Sequence, residues 1–224
     1  MRVAIMQPTY LPWIGYFSLM KSVDVFIILD SVQFSKRSWQ QRNQIKTESG
    51  PKWLTVPVIS KGKREQLIAD VQIDYSSGKF PESHINLIQQ NYKKSKFFSN
   101  YSLDFFNILR KRHKNLSSLS IDLILLIKGM LDIKTTIKYS SDFVTKGSKD
   151  ELLAELCEHV GATEYISPPG SKVYLDDSDS FLKKNISVKY FDYKHPKYKQ
   201  INGDFLSYMS VIDLLFNCGP ENTI

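Results

Sequence analysis

Two side chains are the best placed in this chain to accept a proton. Asp30 closes the apolar run "DVFIILD", and His195 sits in "YKHPKYKQ", overlapping the end of the strand-like run "ISVKYFDY". A carboxylate at the end of a buried strand can act as base, metal ligand or hydroxyl acceptor, and it can equally cap a helix N-terminus. A histidine titrates near neutral pH, which suits general-base work, while a surface or helix-capping histidine has the same local appearance. His84, His113 and His159 fall within helical patterns, where surface or helix-end positions are expected. The histidines have no metal-ligand spacing, so no metal site is expected. Cys218 lies toward a helix C-terminus, the wrong end of the dipole to stabilise a thiolate. Gly-rich phosphate loops and the GxGxxG, GxSxG and HExxH signatures are absent.

Two loops carry the remaining chemistry. In "QPTYLPWI", prolines lack an N–H and restrict their predecessors, so they hold the loop extended and delay the following helix. Gly15 lets that helix start close to a ligand, and Gln7 offers a donor and an acceptor on a rigid support. The aromatics of this loop, Trp13 among them, can line a crevice or simply plug a core. The second loop, "DSVQFSKRSWQQRNQI", mixes cations with amides. Arg37 and Arg42 offer planar forks for phosphate or carboxylate, and Lys36 and Lys46 add point charges. Phe34 and Trp39 can stack on a sugar or a base. Nonspecific phosphate binding needs only charge, whereas the amides of Gln33, Gln40, Gln41, Asn43 and Gln44 point to hydrogen bonding of sugar or base edges. A solvated basic loop is the plainer alternative.

These loops follow strands, and the pattern of elements says which. Arg2–Met6 reads as a short buried strand, Gly15–Val23 as a helix, and Asp24–Asp30 as a second strand too apolar for a surface. Strand, helix, strand makes a βαβ unit with parallel strands. Ser31–Thr47 reads as loop plus irregular helix. Lys52–Val58 and Ile68–Asp74 alternate like strands of a half-exposed layer. Pro81 suits the first turn of a helix ending at Tyr92; further helices are predicted over Ser99–His113 and Leu116–Ile133. The alternation then returns with a strand at Thr135–Ser141 and a helix at Ser148–Val160 capped by Gly161, with Ser148 and Glu151 at capping-box spacing. Strands at Tyr165–Ser167 and Ile186–Tyr193 and a helix at Tyr208–Gly219 complete the chain. The expectation is one α/β domain, an open and largely parallel Rossmann-like sheet with a helical insert at about Pro81–Ile133. In such sheets ligands bind beyond the carboxyl ends of strands, which is where both loops begin.

The 224 residues suffice for one sizeable domain. The formal charge is +7, and it is clustered. Ser31–Gln66 holds eight lysines and arginines against two glutamates, and Lys93–Lys114 holds seven against one aspartate. That clustering favours an anionic partner, although helix lysines also form plain solvated faces. No apolar run reaches the ~20 residues a membrane span requires. Two cysteines are too few for a disulfide scaffold, and Met1-Arg2 runs straight into a strand without a signal-peptide pattern. A cytoplasmic setting is expected.

Taken together, "MQPTYLPWIGYF", "DSVQFSKRSWQQRNQI", "WLTVPV", "YLDDSDSFLKKNISVKYFDYKHPKYKQ" and "LSYMSVIDLLFNCG" resemble the WbqC-like protein family in order and spacing. The resemblance implies a bacterial protein of O-antigen and surface-polysaccharide biosynthesis, acting on a nucleotide-linked amino sugar by acyl or aminoacyl transfer. By position, the family's recurrent polar residues correspond to Gln7, Tyr10, Gly15, Tyr16, Asp30, Arg37, Arg42, Asn43, Tyr198, Gln200, Ser210, Asp213, Asn217 and Gly219. Asp213 falls inside the closing helix, where it can fix that helix to the loops. The segment "SPPGSKVYLD" departs from the glycine-rich form associated with this position.

On this reading the donor is a thioester of coenzyme A or of an acyl carrier protein, with no tightly bound cofactor. His195 or Asp30 removes the amine proton; Arg37, Arg42 and Lys46 hold the diphosphate; Gln7, Asn43 and Gln200 orient the sugar or the oxyanion. Motifs at both ends of the chain are expected to share one pocket. The layout of the first βαβ unit also echoes nucleotidylyltransferases, but "WIGY" stands where those carry HxGH, so adenylyl transfer is an alternative. A noncatalytic scaffold for sugar intermediates or an acidic carrier protein is another. Nucleic-acid binding is not expected, since no recognition motif accompanies the basic residues.

Overall fold

A computed structural model describes residues 1–176 and 178–220. Asp177, inside one of the motifs quoted above, lies outside the described residues, as does the tail 221–224. In chain order the elements are β1 (Arg2–Met6), α1 (Ile14–Lys21), β2 (Val25–Ile28), β3 (Arg42–Thr47), β4 (Gly50–Thr55), α2 (Glu82–Tyr92), α3 (Phe98–Arg110) and α4 (Leu116–Met130). They continue with β5 (Thr136–Tyr139), α5 (Lys149–His159), β6 (Glu164–Ser167), α6 (Lys172–Leu175), β7 (Ser187–Tyr190) and α7 (Val211–Cys218). The chain groups into two compact units. One comprises Met1–Gln7, Ser18–Ser31 and Ile133–Lys194, the other Pro8–Phe17, Val32–Asp132 and His195–Ile224.

The first unit is built on a parallel five-stranded sheet in the order β5-β2-β1-β6-β7. From β1 the chain builds outward through β2 and β5, then returns to the other side of β1 for β6 and β7. This is a Rossmann-like α/β arrangement with its topological switch between β1 and β6. Burial follows position. β2 is buried at every residue, as a central parallel strand with both faces covered must be, while the edge strands β5 and β7 alternate between exposed and half-buried. The βαβ reading of the first thirty residues holds, with Val3 beside Val25 and Met6 beside Ile28. Gly161, at φ +73°, follows α5 in the left-handed region that ends helices. The capping box expected at Ser148 does not form: Ser148 is the N-cap but makes no side-chain cap bond. Instead the Glu155 carboxylate accepts the N–H groups of Lys146 and Gly147, at 2.8 and 3.1 Å.

The second unit packs α2, α3, α4 and α7 with the β3–β4 hairpin. Phe216 sits among Tyr92, Phe98 and Phe105, with ring centroids 5.1–6.3 Å away. Two expectations change here. Arg42–Thr47 is a strand, paired antiparallel with β4 from Arg42↔Thr55 to Thr47↔Gly50. "RNQIKT" has little intrinsic strand preference, and its pairing with β4 specifies it. Ile68–Asp74 is a 3-10 turn (Ile68–Asp70) followed by single bridges, Gln72↔Asn115 and Val58↔Ile73. Its alternating burial at Val71 and Ile73 survives, but without a regular ladder.

Candidate functional site

In the first unit, Gln7 follows β1 at the switch point and Asp30 lies just beyond β2. Asp30 is 6% exposed and its carboxylate is committed within the unit. Oδ1 accepts from the Ser140 hydroxyl at 2.9 Å and the Ser141 N–H at 3.0 Å, and Oδ2 accepts from the Ser141 hydroxyl at 2.9 Å. The Ser140 hydroxyl oxygen in turn accepts the N–H groups of Asp30 and Ser31. The carboxylate therefore pins the end of β2 to the turn after β5.

The second unit gathers the remaining predicted residues from both ends of the chain. Pro12 accepts the N–H of Val211, Trp13 bridges Ser210, and the N–H of Ser210 reaches Gln44 at 2.8 Å. Asn43, 1% exposed, donates to the Leu11 carbonyl at 2.6 Å and accepts from the Gln44 N–H. That grip holds Leu11 at φ +50°, a left-handed conformation that costs a leucine about 1–2 kcal/mol. The amides of the second loop behave alike. Gln40 Oε1 accepts the Ser35 N–H, and Gln41 Oε1 accepts the Arg37 N–H while its Nε2 donates to Val56. These polar side chains, expected to read a ligand, replace backbone pairing in an irregular loop.

Trp13 is stacked on His195, with centroids 6.3 Å apart and planes at 12°, and Tyr208 closes on both rings. A Cβ on Gly15 would lie 2.2 Å from the Trp13 ring, so this glycine makes room for the chain's own indole. His195 is half-buried. Its Nε2 accepts the Tyr208 N–H at 3.0 Å and its Nδ1 lies 2.9 Å from the Pro196 carbonyl. Below this aromatic group runs a buried polar network. Asp213, fully buried, accepts from Tyr92 at 2.7 Å, Tyr198 at 2.8 Å and Gln200 at 2.7 Å. Burial pushes its carboxyl above the usual range, against the pull of those donors. Lys46, 3% exposed, donates to Gln200 Oε1 at 3.2 Å, Gly203 O at 3.2 Å and Asp204 O at 2.5 Å. Its charge is spent on the turn after Tyr198. Asn217 spans the Asp213 carbonyl and the Ser95 hydroxyl.

Tyr10 is fully buried with its hydroxyl 2.9 Å from His84 Nδ1, and Tyr16 is buried against Phe17. Two histidines expected on surfaces are buried instead. His84 is 7% exposed between Tyr10 and Phe80, and His113 is 6% exposed with Nε2 2.9 Å from Asp122. Each polar ring found a partner on another element, which helical periodicity does not reveal. Burial raises the thiol of Cys218 as well, in keeping with an unreactive cysteine.

An open feature of this unit is a cleft of about 470 Å³ lined by Gln33, Phe34, Ser35, Lys36, Ser60, Gly62, Lys63 and Arg64. Its walls are tied by main-chain bonds from Phe34 to Gln66 (2.9 Å) and from Ile68 to Val32 (2.9 Å). Gln33 braces it with a bond to the Arg64 carbonyl at 2.9 Å and a longer one to the Glu65 carboxylate at 3.4 Å. Lys36, Lys63 and Arg64 form no salt bridge among the described residues. Lys63 and Arg64 stand in "SKGKREQ", a basic turn without a recognised motif. Arg37 is exposed in the loop, Trp39 is exposed 5.3 Å from the Trp53 ring, and Arg42 lies 4.3 Å over that ring. No group of three or more histidine, cysteine or acidic side chains able to hold a metal occurs among the described residues, and no helix among them is long and apolar enough to cross a membrane.

Comparison with known proteins agrees with the motifs. The chain is 40% identical over 222 residues to Uncharacterized protein Rv1507c of Mycobacterium tuberculosis, covering 98% of this chain and 95% of that protein. No solved structure matches. The profile of the WbqC-like protein family matches residues 7–224, and this chain belongs to that family.

Proposed function

We propose that this protein is a cytoplasmic enzyme of bacterial surface-polysaccharide biosynthesis, transferring an acyl or aminoacyl group to the amine of a nucleotide-linked amino sugar. The observation that supports it is the cleft between Gln33–Lys36 and Ser60–Arg64, where three cations that form no salt bridge among the described residues line a site with polar groups able to hold a diphosphate. The donor is a thioester of coenzyme A or an acyl carrier protein. The sugar amine attacks its carbonyl carbon, the C–N bond forms, the C–S bond breaks and the sulfur leaves as thiolate. The amine proton passes to Nε2 of His195 once that atom releases the Tyr208 N–H, and His195 then returns it to the thiolate, which departs as thiol. Asp30, already holding two serines, serves the fold.

Isothermal titration of the purified protein with amino-sugar nucleotides and their hydroxyl counterparts tests the reading. The amino form should bind and turn over with an acyl thioester, and Lys63→Ala with Arg64→Ala should weaken binding steeply. Equal affinity for both forms without turnover would sink the transfer reaction. That outcome would favour a noncatalytic carrier of sugar intermediates, a second reading supported by the internal engagement of both His195 nitrogens and of Asp30.

A further inference from the structure

The exposed face of the β3–β4 hairpin carries chemistry that the proposed reaction does not use. Alternation places Arg42 and Gln44 of β3 on one face with their cross-strand partners Thr55 and Trp53 of β4. Asn43, Ile45 and Leu54 are buried on the opposite face. Trp53 is 40% exposed, and Trp39 stands 5.3 Å from it, 50% exposed. Indoles are rarely left this open in pairs, because each buries a large apolar area when given a partner. The Arg42 guanidinium covers one side of Trp53 at 4.3 Å, and its buried Nε has no hydrogen-bond partner among the described residues. The cation is thus oriented by the ring rather than by a carboxylate, and it keeps the platform positively charged.

The platform and the basic cleft are joined by one short loop. Lys36 lines the cleft and Trp39 is three residues on, so their Cα atoms are at most ~11 Å apart. The loop between them is not slack. Ser38 donates to the Ser35 carbonyl at 2.6 Å, Gln40 and Gln41 hold the Ser35 and Arg37 N–H groups, and the Trp39 carbonyl accepts the Tyr10 N–H at 3.2 Å. A molecule with anionic groups in the cleft and a flat ring one short spacer away matches both features at once. A nucleoside diphosphate has that composition. Aromatic faces take any base by stacking, and the Gln44 amide and Thr55 hydroxyl can meet polar ring edges.

We propose that Trp39, backed by Trp53 and Arg42, is the stacking platform for the nucleobase of a nucleoside diphosphate whose phosphates occupy the Lys36–Lys63–Arg64 cleft. This rests on the cleft reading given above and extends it to the base.

The test measures binding of pyrophosphate, UDP and ADP to the intact protein by calorimetry, with tryptophan emission as a second readout. UDP or ADP should bind more tightly than pyrophosphate and quench emission. Trp39→Ala should weaken the nucleotide about five- to hundredfold while leaving pyrophosphate unchanged, and Trp39→Phe should restore most of the loss. Nucleotide affinity equal to that of pyrophosphate, or untouched by Trp39→Ala, overturns the platform. Absence of pyrophosphate binding, with nucleotide binding still dependent on Trp39, supports the platform and overturns the cleft.

Discussion

The main-chain N–H of Tyr208 donates to Nε2 of His195 at 3.0 Å, with Nδ1 of the same ring 2.9 Å from the Pro196 carbonyl. Together these bonds define a neutral tautomer with its proton on Nδ1. They also hold Tyr208 at φ +61°, so the imidazole closes a strained loop as well as standing under Trp13. Any proton taken by Nε2 displaces the Tyr208 N–H, which couples acceptance of a proton to opening of the loop between residues 195 and 208.

His195→Ala is therefore expected to lower transfer about 10²–10⁴-fold. A loss under about tenfold, accompanied by a lower melting temperature, would assign His195 to loop closure alone.

Gly15→Ala places a methyl 2.2 Å from the Trp13 indole and must push that ring off His195. Overpacking of this kind costs about 1–3 kcal/mol. Urea unfolding should show the loss, and a Trp13→Leu background should remove most of it, because the two sites are coupled only through the ring.

Asp30→Ala leaves a part-buried N–H and two serine hydroxyls, one of them buried, without their acceptor. The expected cost is about 2–4 kcal/mol, read as a lower denaturation midpoint at unchanged slope. Asp30→Asn keeps one acceptor oxygen and should fall between the two. Unchanged stability in both variants would argue against this serine clasp.

His84 gives a pH dependence of its own. Burial holds its imidazole at about 4, against 6.5 in an open chain, while a hydrogen bond with the Thr55 main chain opposes the shift. As pH falls, the unfolded chain takes the proton first. The contribution is complete above pH 6.5 and is lost between 6.5 and about 4, up to ~3 kcal/mol. The denaturation midpoint should drop less between pH 7 and pH 4.5 in His84→Gln than in wild type.

How much of this was legible from residues alone depends on whether the information is local. The apolar runs of β1 and β2 announce central parallel strands because nothing polar interrupts them, and Gly161 ends α5 for a reason written in its missing side chain. The two loops rich in cations, amides and prolines were equally visible, as was the family they belong to. The destinations of those side chains were not. Asn43 bonds a carbonyl 32 residues away, His84 a hydroxyl 74 away, and Lys46 a turn more than 150 away. Each is a polar group whose partner exists only after the chain has folded, so its type predicts that it will be satisfied but not by what. The same holds for β3, a strand made by its neighbour rather than by its own composition. Sequence determined the central parallel strands, the helices and the inventory of chemistry; tertiary structure decided β3, which of the polar groups hold the fold together and which, at Lys36, Lys63, Arg64 and Trp39, face outward.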